Sequence, residues 1–192
     1  VTDASGRVIW DFADFEFIDG AAPPTVNPSL WRQAQLNNHV GLYKVAEGIH
    51  QLRGFDLANL TLIEGRTGWI VVDPLTSRET AAFALAFARQ HLGERPVSAI
   101  VFTHSHADHF GGVLGVVSAA QAAESGIPVV APEGFMEAAI SENVLAVNKA
   151  LPLQVKLAGG GLFAGGRRLR RSRRRFFGAF VGRSLRGRGG IA

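Results

Sequence analysis

His104-Ser105-His106-Ala107-Asp108-His109 follows directly on the apolar run Ala99-Ile100-Val101-Phe102. Three imidazoles and a carboxylate packed this tightly repel one another when the histidines are protonated. Neutral, they offer the nitrogen and oxygen donors that zinc and similar borderline metals take up. If the apolar run is a strand, side chains two apart leave it on the same side, so His104 and His106 project together from its end. Asp108 and His109 fall where the strand gives way to the next element and point back toward a second metal. The plain alternative is a polar turn rich in histidine. Three histidines with an aspartate at this spacing favour the metal reading.

Working outward, the upstream half reads as a meander. Residues 8–17 alternate apolar and acidic positions (Val8-Ile9-Trp10, then Phe12, Phe15 and Phe17), as a short strand or extended arm would. Gly20-Ala21-Ala22-Pro23-Pro24 breaks the chain, and Ser29 is a candidate cap for a short helix over 30–36. Residues 41–53 read as a hairpin turning at Glu47-Gly48, and residues 60–63 and 69–72 as a second hairpin across 65–68. Ala81, Leu85, Ala88 and Leu92 carry helical spacing over 77–91, and Gly93 stops that helix. Downstream, a strand over 97–102, a helix of small residues over 111–124, a strand at Val129-Val130 and a helix over 135–147 complete an alternating pattern. A meander followed by strand–helix alternation implies an α/β fold of sheet and covering helices.

Composition splits the chain in two. The 192 residues suffice for one sizeable core, and an apolar share of 47% fits a globular protein. Residues 1–150 hold nine Lys/Arg against all sixteen Asp/Glu, a net charge of −7; residues 151–192 hold eleven Lys/Arg and no acid. The domain expectation is therefore a body over 1–150 and an Arg/Gly-rich basic tail over 151–192. That tail has three readings: an out-of-frame or truncated read of a GC-rich gene, which the Arg/Gly/Ala bias favours; a disordered solvated segment; or, least favoured, a nucleic-acid-binding arm. No apolar stretch approaches the ~20 residues of a membrane-spanning helix. No secretory leader is visible, and the absence of cysteine excludes disulfides and thiolate ligands. Cytoplasmic and periplasmic or secreted locations fit equally.

The cluster resembles the His-x-His-x-Asp-His motif of the metallo-β-lactamase superfamily, and its surroundings resemble the alkyl sulfatase branch, zinc enzymes that hydrolyse dodecyl sulfate and related esters. The segments that carry the likeness are Asn27-Pro28-Ser29-Leu30-Trp31-Arg32-Gln33-Ala34-Gln35-Leu36-Asn37, Arg53-Gly54-Phe55-Asp56-Leu57-Ala58-Asn59 and Val72-Asp73-Pro74-Leu75. Thr103 to Val113, Ala131-Pro132-Glu133-Gly134-Phe135 and Ser141-Glu142-Asn143-Val144 continue it in the same order, to about Val147. The resemblance implies an αββα sandwich, two sheets face to face between helices. It is incomplete here and represented by its N-terminal part, so apolar surface should be left exposed where the other sheet would lie.

It also implies a site with two zinc ions. His104 and His106 would hold one, Asp108 and His109 the other; Asp108 would be catalytic as well, orienting the nucleophile. Metal-held hydroxide would attack the ester, releasing sulfate and alcohol. Asp73 matches the superfamily's first acidic motif, which supports the metal loop by hydrogen bonding and doubles as a turn residue before Pro74. Thr103 and Ser105 are candidate donors steadying the histidines, and Gly111 and Gly112 would let the next helix approach the strand. Asn59, the lone histidines His39, His50 and His91, and the acids Glu133 and Glu142 are read as ordinary surface, core or capping residues. After His109 the sequence has no histidine, and after Glu142 no acid. The remaining ligands that the branch uses are therefore missing, and the chain is expected to be impaired as an enzyme. The partner implied is a small alkyl sulfate; nucleic acid is not expected, and the resemblance allows a homodimer. Two alternatives remain: another hydrolase of the same fold acting on lactones, thioesters or β-lactams, and a non-enzymatic basic-tailed binding protein.

Overall fold

A computed structural model describes residues 1–146. After a 3-10 turn at Ala13–Phe15 come α1 (Pro28–Asn37) and four strands, β1 (Gly41–Ala46), β2 (Ile49–Arg53), β3 (Leu60–Glu64) and β4 (Trp69–Val72). Helix α2 (Arg78–Leu92) leads to β5 (Val97–Val101), and a second 3-10 turn spans Ala107–His109. The short helices α3 (Val113–Val116) and α4 (Ala119–Ser125), strand β6 (Val129–Val130) and α5 (Phe135–Ile140) follow. A π-helical segment (Ser141–Ala146) closes the described region.

The six strands form one sheet in sequence order. β1 to β4 pair antiparallel as two hairpins, whereas β5 joins β4, and β6 joins β5, in parallel. The change of direction is forced by α2, because a parallel neighbour requires a crossover rather than a tight turn. One sheet face contributes Leu52, Leu60, Leu62, Val71 and Ile100 to the core, each fully buried. The same cluster takes in Ala81, Ala84, Leu85 and Ala88 of α2, spaced to make one stripe along the helix. Three alanines in that stripe keep the helix thin where it packs.

The opposite face is apolar and only partly covered. Register places Ile63 beside Ile70 and Ile70 beside Ala99; a second row runs Val72, Val101, Val130. None of these six is fully buried. This is the uncovered surface expected of a sandwich of which one sheet is described. The α/β class is as read from the sequence.

Several local expectations are corrected. Residues 8–17 form no strand; Val8 makes a single bridge to Thr2, since alternation without a neighbouring strand has nothing to pair with. Asn27, not Ser29, caps α1: its side chain accepts from the Ser29 and Leu30 amides, with Pro28 preset for the first helical position. The helix read over 111–124 is broken. Val117 is extended and Ser118 starts α4 afresh with a capping box to Gln121. The helix read over 135–147 changes from α to π at Ser141; its last residue and the tail over 151–192 lie outside the described residues.

Candidate metal centre

The loop after β4 is where the backbone departs most from ordinary geometry. Asp73 and Leu75 both have positive φ, 53° and 62°, a region costly for a side chain as bulky as leucine. Surrounding bonds hold it there. The Asp73 amide donates to Val101 O of β5 (3.0 Å), and Gly112 N donates to Leu75 O (2.8 Å). Buried Asp56 reaches over from the β2–β3 loop: its carboxylate accepts from Thr76 N (3.1 Å), Thr76 Oγ1 (2.6 Å), Leu57 N (2.6 Å) and Thr80 Oγ1. One acid thus fastens the loop to the first turn of α2. The glycines face this loop too. A Cβ on Gly112 would strike Pro74 O, Ser77 O and Ala81 Cβ, and one on Gly111 would strike Thr76 O and Ala107 O. Their close approach is to this loop and α2, not to the strand as the sequence reading had it.

Asp73 is 10% exposed at its side chain and is the hub of the His-rich segment. It accepts from Thr103 N (2.8 Å) and Thr103 Oγ1 (2.6 Å), and His109 Nδ1 lies 2.8 Å from its Oδ2. A carboxylate can only accept, so His109 carries a proton on Nδ1, which in the neutral ring leaves Nε2 as the free donor atom. That Nε2 lies 3.3 Å from Asp108 Oδ2. Because the Thr103 hydroxyl spends its proton on Asp73, its oxygen faces His104 Nδ1 (3.0 Å) as an acceptor. His104 is thereby left with a bare Nε2 as well, 3.0 Å from His106 Nδ1.

These separations fit metal binding. Zn–N bonds of about 2.0–2.1 Å at tetrahedral angles put neighbouring donors about 3.3 Å apart. The pair His104 Nε2 and His106 Nδ1 and the pair Asp108 Oδ2 and His109 Nε2 stand near that value. The His104 and His109 rings, 4.0 Å between centroids, set the two pairs side by side. Asp73, His104 and His109 also bring one donor each within 4.8 Å of one another. Both Asp73 oxygens are already engaged by Thr103 and His109.

Ser105 differs from its expectation. Its hydroxyl donates to Glu142 Oε2 (2.9 Å) rather than to a histidine. Asn143 Nδ2 donates to Ser105 O (2.9 Å), so the π segment grips the His-rich loop. The sequence marks Glu142 only as a solvated or capping residue and does not single out Asn143 or Asp56. His50 is buried with Nε2 3.4 Å from Glu64 Oε1, and His91 Nδ1 meets Phe87 O of its own helix. His39, Asn59 and Glu133 are exposed.

The sequence pattern of the Metallo-beta-lactamase superfamily matches residues 53–175. The chain belongs to that superfamily. Within it, the likeness is to the alkylsulfatase branch. An (R)-specific secondary-alkylsulfatase of Pseudomonas sp is 48% identical over 147 residues, which is 76% of this chain and 22% of the relative. A linear primary-alkylsulfatase of Pseudomonas sp is 50% identical over 143 residues, 73% of this chain and 21% of the relative. The solved structure of the stereoselective inverting sec-alkylsulfatase Pisa1 from Pseudomonas sp. superposes with a TM-score of 0.71 at 49% identity. That superposition covers 76% of this chain and 23% of Pisa1. The chain thus spans about a fifth of the length of the relatives it matches. Among the described residues, no helix is long and apolar enough to cross a membrane.

Proposed function

We propose that this chain carries the His-rich side of a two-zinc centre that hydrolyses alkyl sulfate esters. The observation that supports it best is the presence of two metal-compatible donor pairs, 3.0 and 3.3 Å across, in a sequence about half identical to alkylsulfatases. His104 and His106 would hold one zinc, and Asp108 and His109 the other. Zinc bound there supplies a Lewis acid that acidifies water and offsets the charge of the sulfate ester. Asp108 also orients the attacking water, while Asp73 and Thr103 hold His109 and His104 in the tautomers that leave their Nε2 atoms free. Gly111 and Gly112 let the metal loop sit against the strained turn at Asp73-Pro74-Leu75.

The description of Pisa1 as inverting supports a further detail. Configuration inverts only when the stereogenic carbon itself is attacked. We therefore infer C–O scission: the water oxygen bonds to carbon, the C–O pair departs with sulfate, and the water gives up a proton, leaving alcohol and hydrogensulfate. Four donors for two ions leave open positions on both, and residues 147–192 contain no His, Cys, Asp or Glu to fill them.

Sulfate release from dodecyl sulfate and from a secondary alkyl sulfate tests the reading, with a lactone, a thioester and a β-lactam alongside. Zinc-dependent release of sulfate, with label from H2-18O found in the alcohol, is the expected result. No release at saturating zinc, or hydrolysis of one of the other classes instead, contradicts it.

A further inference from the structure

Helix α5 and the π segment after it stand over the metal loop. Phe135 at the start of α5 stacks on Phe102 (5.4 Å between centroids) and meets Phe110 edge-on (5.3 Å), so residues on both sides of the His-rich motif anchor the helix. Glu142 Oε2 then accepts from Ser105 Oγ (2.9 Å) and lies 3.9 Å from His106 Nε2. Asn143 Nδ2 bridges Ser105 O and Ala139 O, both at 2.9 Å. Glu142 is the carboxylate nearest the outer nitrogen of the one motif histidine that Asp73 and Thr103 leave unsupported. Wide helical turns of this kind are rare and concentrate at functional sites.

We propose that Glu142 and Asn143 are positioning residues for His106. With Nδ1 turned to the metal, the His106 proton must sit on Nε2, and the Glu142 carboxylate favours it there while making Nδ1 a better donor. Asp73 holds His109 by a hydrogen bond of 2.8 Å; Glu142, at 3.9 Å and more exposed, acts on His106 through its charge. Asn143 fixes the intervening backbone, so the direction of His106 depends on a segment 37 residues further along the chain. This inference rests on the metal centre proposed above.

The full 192-residue chain tests it through zinc titration calorimetry and two-bond 1H–15N correlation of the histidine rings. Glu142→Gln retains an oxygen for the Ser105 hydroxyl and removes only the charge. It is expected to raise the zinc dissociation constant about tenfold or more and, in the zinc-free chain, to shift His106 away from the Nε2–H form. Asn143→Ala is expected to weaken zinc binding in the same direction, and Glu133→Gln, an exposed acid, to leave it unchanged. Zinc affinity and His106 tautomer identical to the unsubstituted chain in Glu142→Gln overturn the proposal. So does lost affinity that tracks lost urea stability while His106 in the zinc-free chain keeps its tautomer, since that marks a merely structural role. Absence of zinc binding by the unsubstituted chain is a separate result, which removes the metal centre itself and this inference with it.

Discussion

Replacing Asp73 by asparagine separates support of the metal loop from its mere shape. The carboxylate accepts three bonds, from Thr103 N, Thr103 Oγ1 and His109 Nδ1, at 2.8, 2.6 and 2.8 Å. An amide of the same size has one oxygen, which can keep the bond from Thr103 N. Its nitrogen then faces Thr103 Oγ1 and His109 Nδ1 as a donor. His109 must give up its Nδ1 proton and carry it on Nε2, where it can be donated to Asp108 Oδ2, 3.3 Å away. The fold survives this exchange because a new bond replaces an old one, but the lone pair proposed for the metal is gone. Hydrogen bonds to charged groups contribute about 1.5–3 kcal/mol each, and with partial replacement the net loss of stability is about 1–3 kcal/mol. Zinc affinity falls about 10- to 100-fold, as for other carboxylates behind metal-binding histidines. Urea unfolding measures the first, calorimetric zinc titration the second, and histidine 1H–15N correlation reads the tautomer directly. A variant that binds zinc like the parent, with His109 still protonated on Nδ1, would refute the reasoning.

Asp56→Ala removes the acceptor of four hydrogen bonds that tie the strained loop to α2. About 1–3 kcal/mol of stability is expected to go with it, since the buried Thr80 hydroxyl and the part-buried Thr76 and Leu57 donors lose their acceptor; a urea midpoint close to that of the parent would count against the fastening role. Gly112→Ala places a methyl against two backbone carbonyls and Ala81 Cβ. It should cost about 1–3 kcal/mol by overpacking and weaken zinc binding through the shifted loop, with the same two titrations as the check.

What the sequence disclosed followed the range of the forces involved. Both hairpins and α2 were legible because apolar periodicity and local stop signals act within a few residues; Ser77 caps α2 and Gly93 ends it where expected. The candidate donors His104, His106, Asp108 and His109 stand out in the sequence because they crowd into six consecutive positions, and the structure brings them together as two adjacent pairs. The break at Val117 was missed, although a β-branched pair followed by Ser118 and Gln121 carries a capping signal. Asp56, Glu142 and Asn143 gave no sign of their contacts, because these form only once β2–β3 meets α2 and Phe135 packs on Phe102. Long-range hydrogen bonds of that kind have no local pattern to betray them.

Equilibrium zinc uptake by the 192-residue chain, beside a His104→Ala/His106→Ala double variant, tests the central claim most directly. Saturable uptake by the parent and its sharp loss in a double variant that keeps the parent's circular dichroism is the predicted result. No uptake by the parent, or uptake indifferent to the loss of both imidazoles, would contradict it.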